Sequence, residues 1–236
     1  FKATIRRKKP KHDKFYKEIK DQVIKKRPLK ISKQKGDYAY FFMCADWQFG
    51  KAEYNTEWGV DETVDYIKQG IEKAIGGVPG NHAEYRSGKN SIVTSRLDNS
   101  DTTIFQIVGE IIEGRERYKH VKTIVPDDFY LLLEVKNKRI CFYHGHMSGG
   151  GSGAEGKLMN WWKNQTMARL PAGTADFLVT GHYHHFRAVT ERGRTWIQSP
   201  SLDTSTELEA RLGLTTSHGI LTFTLSSNGI DNLRIL

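Results

Sequence analysis

Phe177-Leu178-Val179-Thr180-Gly181-His182-Tyr183-His184-His185 is the stretch on which the reading of this 236-residue chain turns. Its first four residues form a short apolar run of the kind that makes a buried strand. A strand delivers its end to one fixed place, and Gly181 lets the backbone turn sharply there. His182 and His184 stand two apart, so an extended chain puts them on one face and a tight turn aims them at neighbouring points. Imidazole nitrogens converging at a rigid strand end are what a transition-metal site requires. A surface loop rich in histidine is the other reading of the same residues, and the rest of the chain decides between them.

Length allows one large core or two modest ones. A hydrophobic content of 38% and a charged content of 27% are those of a globular chain, and no apolar run approaches the length of a membrane span. No secretory pattern opens the sequence, because Phe1-Lys2-Ala3 leads into basic residues. Cys44 and Cys141 both lie within apolar runs and are expected to be buried thiols, which fits a reducing, cytoplasmic setting. The net charge of +9 is unevenly placed. Residues 1–35 hold 15 Lys or Arg against Asp13, Glu18 and Asp21, a net of +12, and the remaining 201 residues carry a net of −3. A basic arm on a near-neutral body fits a polyanionic partner; a solubilising tail is the alternative.

Within that arm Phe15, Ile19 and Val23 recur every four residues and predict an amphipathic helix ended by Pro28. Tyr38 to Ala45 reads as a buried strand ending at Asp46-Trp47-Gln48-Phe49-Gly50-Lys51. A carboxylate at the mouth of such a strand is costly unless paired or bound to a cation, although an Asp also caps ordinary turns. The spacing of Val64, Ile67, Ile71 and Ile75 predicts a helix over 61–75. Gly76-Gly77-Val78-Pro79-Gly80 then forces an irregular loop that holds Asn81 and His82 by backbone shape. Glu84 to Asp101 reads as loop, with Arg86 available for anions, and Thr103 to Tyr118 as a second amphipathic helix. Strands are predicted at Val121–Val125, Phe129–Val135 and Arg139–Tyr143, the last ending in His144-Gly145-His146. Ser148 to Gly156 is glycine-rich and flexible in character. Trp161 and Trp162 follow on a segment from Lys157 to Ala168, readable as core or as a base-stacking platform. Arg187–Thr190, Arg194–Gln198, Ile220–Leu225 and Leu233–Ile235 complete the strands and imply an α/β sandwich.

Four turn-like segments therefore carry metal-type ligands: Asp46/Gln48, Asn81/His82, His144 and His182/His184. Taken in this order, with Gly-Asn-His and Gly-His-x-His, the pattern resembles the calcineurin-like metallophosphoesterase superfamily. The likeness runs from about Asp37 to the C-terminus. Ala45–Lys51, Val78–His82 and Val179–His185 are similar to segments of bacteriophage-encoded phosphoesterases and, more distantly, of DNA-repair exonucleases. The resemblance implies a four-layer α/β/β/α sandwich over residues 36–236 with two divalent metal ions at the carboxyl ends of its strands. By position, Asp46, Gln48 and His184 would bind one ion and Asn81, His144 and His182 the other. His82 would be the general acid or transition-state contact. Mixed oxygen and nitrogen ligands favour manganese, with iron or zinc as alternatives. Host cytoplasm is the expected location if the chain is phage-encoded.

Two departures stand out. Gln48 occupies a position where the family has histidine, and an amide oxygen is a weaker ligand. No Gly-Asp occurs between Lys51 and Gly80, so the aspartate that bridges both ions in the family has no counterpart. A segment missing near 75–77 is the expectation that follows. The functions implied are a phosphodiesterase acting on nucleic acid, with Lys51 and Arg86 as phosphate contacts and no membrane partner; a phosphoesterase for a small-molecule substrate; or a degenerate, non-catalytic scaffold that binds nucleic acid or protein.

Overall fold

The computed structural model describes residues 39–43, 74–84, 86–87, 92–93, 98–118, 121–149, 152–202, 213 and 218–236. In chain order these form β1 (Ala39–Met43), β2 (Ala74–Gly76), β3 (Arg86–Ser87), β4 (Ile92–Val93), α1 (Ser100–Glu113), β5 (Lys122–Ile124), β6 (Tyr130–Val135), β7 (Lys138–Tyr143), α2 (Gly153–Met167), β8 (Phe177–Thr180), β9 (Arg187–Glu191), β10 (Arg194–Gln198), β11 (Leu221–Ser226) and β12 (Gly229–Ile235). The fold is mixed α/β. The basic arm with its predicted helix, Cys44, and most of the predicted helix over 61–75 lie outside the described residues.

A five-stranded sheet, ordered β6-β7-β8-β10-β9, forms the centre. Its middle strands β7, β8 and β10 are parallel, and β7 reaches β8 through α2, as a parallel pair requires. Side chains alternate across this sheet, and both faces are covered. Ile140, Phe142, Phe177, Val179 and Ile197 point to one side, where Leu221, Phe223 and Leu225 of the three-stranded sheet β1-β11-β12 meet them. Cys141, Tyr143, Leu178 and Trp196 point to the other, against Leu158 and Trp162 of α2. Burial on both faces is why Phe177–Thr180 is an unbroken buried run rather than an alternating one. Edge strand β9 is largely exposed and carries Arg187, Thr190 and Glu191, a composition that discourages edge pairing.

Several boundaries differ from the sequence expectations. Ile75 is not the last turn of a helix: it is buried in β2, which runs parallel to β5 with Ile75 opposite Thr123. Its place four residues after Ile71 mimics a helical stripe. Helix α1 begins at Ser100, three residues before the expected start, because Asn99 caps it by accepting the Asp101 N–H at 2.9 Å. It ends at Gly114 rather than running to Tyr118. The expected loop of 84–101 contains the β3–β4 hairpin, Arg86 opposite Val93. Helix α2 begins at Gly153, inside the glycine-rich stretch. Gly109 lets α1 lie close on β5, since a Cβ there would stand 2.9 Å from the Thr123 methyl. Trp162 is core, its indole N–H donating to the Ala172 carbonyl at 3.1 Å, and Trp161 is half-buried and stacked on Tyr143 with ring centroids 4.2 Å apart. Neither is a free stacking platform.

Cys141 is a buried thiol, as expected. Burial, helped by the nearby Asp128 charge, pushes its pKa from the ordinary value near 9 up to about 12. The folded state therefore favours the protonated thiol. That contribution is complete below the unfolded value and is lost as pH rises towards about 12. Urea unfolding between pH 8 and 11 is expected to show falling stability, with a shallower fall in Cys141→Ala. Equal slopes would refute the buried assignment.

Candidate metal centre

The parallel register of β7 and β8 sets Tyr143 opposite Thr180, so the residues that follow, His144 and Gly181, leave the sheet side by side. The Gly181 N–H donates to the His144 carbonyl at 3.1 Å and prolongs the pairing past the strand ends. Ligand sites in open parallel sheets form at such carboxyl ends. The third segment arrives from β2. After Gly77 pairs with Ile124, the chain runs to Gly80, whose peptide is held on both sides by the start of α1. The Gly80 N–H donates to Asp101 Oδ2 and its carbonyl accepts from Asn99 Nδ2, each at 2.9 Å. Asn99 is buried, and it caps the helix with one end of its amide while gripping Gly80 with the other.

This framework brings three predicted ligands to one point. Asn81 Oδ1 lies 2.8 Å from His144 Nε2 and 3.2 Å from His182 Nδ1. An amide oxygen only accepts, so both ring nitrogens donate to it in this arrangement. The residues are separated by 63 and 101 positions in sequence. The donor set suits a divalent transition ion. Two ligand atoms each about 2.1 Å from one ion stand about 3.0–3.4 Å apart at octahedral to tetrahedral angles, close to the spacing here. Among the described residues, no group of three or more His, Cys, Asp or Glu side chains is placed to hold a metal ion. The convergent set reaches three donors only through the Asn81 amide.

The histidine loop is backbone-strained. His182 and His184 adopt φ of 71° and 58°, in the left-handed region. The sharp turn falls on these two residues rather than on Gly181, which corrects the sequence expectation. The Tyr183 N–H donates to the Gly181 carbonyl at 2.9 Å, closing a γ-turn about His182. Such conformations cost on the order of 1–3 kcal/mol each and persist where neighbours hold them. Here β10 does so: Gln198 Nε2 donates to the His185 carbonyl at 2.6 Å, and the Ser199 N–H to the Thr180 carbonyl at 2.7 Å. The Tyr183 ring stands edge-on to His182 at 4.7 Å.

The other predicted residues are placed as follows. His82 is exposed in the turn directly after Asn81, and His184 is half-buried two residues beyond His182. Arg86 lies in β3. Asp46, Gln48 and Lys51 lie outside the described residues. Sequence reasoning missed Asn99 and Asp101, whose cap pattern at a helix start was the available signal. It also missed Glu84 and His146. Only the repeat of the His-x-His spacing at 144–146 hinted at the latter.

No family model matches the chain, and no curated protein matches it. Among solved structures it is similar to Vps29 of Entamoeba histolytica complexed with Zn2+, at 13% identity over 84% of this chain and 98% of that one, with a TM-score of 0.42. It is similar to a predicted phosphoesterase of Streptococcus pneumoniae at 15% identity, covering 53% and 77% of the two chains, TM-score 0.31. A third is an archaeal phosphodiesterase, at 13% identity, 59% and 64% coverage, and TM-score 0.34.

Proposed function

We propose that the chain is a divalent-metal-dependent phosphodiesterase of the calcineurin-like type, acting on nucleic acid. The observation that carries this reading is the meeting of Asn81, His144 and His182 at the ends of separate segments. These three would hold one ion, and Asp46, Gln48 and His184 would hold the second. Bound divalent ions lower the pKa of coordinated water and stabilise charge on phosphoryl oxygens. His82, exposed beside Asn81, hands a proton to the leaving oxygen. Lys51 and Arg86 neutralise substrate phosphates. The arm of residues 1–35, with its net +12, binds the polyanion and makes affinity fall steeply with salt.

A second reading is favoured by one specific observation. The sequence has no Gly-Asp between Lys51 and Gly80, and so no evident bridging carboxylate. A scaffold that binds nucleic acid without cutting it would need none. Incubating a labelled oligonucleotide with the protein, with and without manganese, separates the two readings. Manganese-dependent cleavage lost in His82→Ala establishes the enzyme. Tight, salt-sensitive binding with no cleavage under manganese, iron or zinc establishes the scaffold.

A further inference from the structure

Two cross-segment contacts run side by side next to the candidate centre. Asn81 meets His144 at 2.8 Å, and three residues along one segment and two along the other, Glu84 Oε1 meets His146 Nε2 at 2.9 Å. Both side chains of the second pair are only 5% exposed. The contact is a close ion-pair approach rather than an aligned hydrogen bond, and a carboxylate so buried is costly unless it is held against such a partner. Each partner stands on a backbone fixed by other means. Glu84 is bridged to Asn99, and the adjacent Ala83 carbonyl accepts the Ser100 N–H at 2.9 Å, which ties the segment to the start of α1. His146 follows Gly145, whose φ of 109° excludes most side chains and whose carbonyl accepts from Ser148 Oγ at 2.6 Å. The His146 ring centroid lies 6.3 Å from that of Phe129 and 5.1 Å from that of His144.

We propose that Glu84 and His146 form a positioning clamp that joins the Gly80–Glu84 segment to the end of β7 and so presets His144 against Asn81. The clamp rests on the metal reading above for its purpose. Asn81 Oδ1 and His144 Nε2 would hold an ion only once the hydrogen bond between them gives way and the His144 ring proton sits on Nδ1, so that bond would then no longer tie the two segments. The Glu84–His146 contact keeps them in register through the exchange. Glu84 and His146 are positioning residues in this scheme and touch no reacting atom. Partners of this outer kind set ligand orientation, and their loss weakens ion binding about ten- to hundredfold.

The test is calorimetric titration of the metal-stripped protein with manganese, alongside nitrogen-15 spectra of the His144 ring without metal. Glu84→Ala and His146→Ala are each expected to weaken manganese binding about ten- to hundredfold, with the double variant no worse than either single one. Glu84→Gln, whose side-chain oxygen can still face His146 Nε2 at the same place, recovers most of the affinity. A purely structural role would not give that rescue. In the metal-free spectra, Glu84→Ala shifts the His144 ring signals while the rest of the amide spectrum stays in place. Should Glu84→Ala fail to fold, Glu84→Met, of similar bulk and without the acceptor oxygens, carries the same comparison. Unchanged manganese affinity and unmoved His144 signals would overturn the clamp and leave the metal centre standing. A parent protein that binds no manganese would overturn the metal reading, and the His144 signals alone would then decide the clamp.

Discussion

His144→Ala is expected to lower manganese-dependent phosphodiester hydrolysis by about 10²–10³-fold, the scale on which a single charge-stabilising group acts at a reacting phosphorus or carbonyl centre. His144 is buried at the end of β7 and is the nearer of the two imidazoles to Asn81. Its removal leaves Asn81 Oδ1 with His182 Nδ1 at 3.2 Å, two donors where three converged. Asn81→Ala should cost a similar factor, and the double variant little more than either, because groups that hold one ion act as a unit. Far-UV circular dichroism should be unchanged, since the strands that carry these residues are paired through their backbones. Hydrolysis at the parental rate in His144→Ala would remove this cluster from the catalytic account.

The second large effect is structural. Trp196 on β10 is fully buried on the helix side of the central sheet, and its indole N–H donates to Thr180 Oγ1 at 2.9 Å. Trp196→Ala opens a cavity beneath α2 and strips the buried Thr180 hydroxyl of its donor. A loss of about 3–5 kcal/mol is expected. For a unit of this size that lowers Tm by roughly 6–20 °C. Trp196→Phe keeps most of the bulk and loses only the hydrogen bond, so it should cost about 1 kcal/mol. Thr180 is followed directly by Gly181 and His182, so manganese affinity should fall along with stability in the alanine variant. A change below 1 kcal/mol would mean that this face of the sheet does not pack as described.

The strands of the central sheet were legible because their burial writes itself into composition. Phe177–Thr180 and Arg194–Gln198 have the predicted bounds; the first is a short apolar run, and the second carries buried Trp196 and Ile197 after the turn at Arg192-Gly193. The failures have physical causes. Ser100, Asp101 and Thr102 are polar, so the first turn of α1 shows no apolar stripe; only the cap chemistry of Asn99 marks it. Ile75 sits at helical spacing from Ile71, while three residues are too few for a strand to display its own period of two. What makes Ala74–Gly76 a strand is its partner β5, which lies almost fifty residues further along the chain.

The candidate site divides in the same way. Asn81, His144 and His182 could be named from residue type at strand ends and sharp turns, and the family resemblance grouped them. Their convergence on one amide oxygen belongs to the tertiary structure, because contacts spanning 63 and 101 residues leave no local trace. The left-handed backbone at His182 and His184 was equally hidden, since glycine was the residue expected to turn and the restraint comes from Gln198 on another strand. Glu84 carried no signal in its own segment, and His146 only the His-x-His spacing that it shares with His144. By itself the sequence determined the α/β class, the uneven charge and the set of candidate ligands, all of which follow from local composition and spacing. Only the tertiary structure decided which of those ligands meet and what holds them, because the parallel pairing of β7 with β8 and the grip of α1 on Gly80 are what bring distant residues within hydrogen-bonding reach.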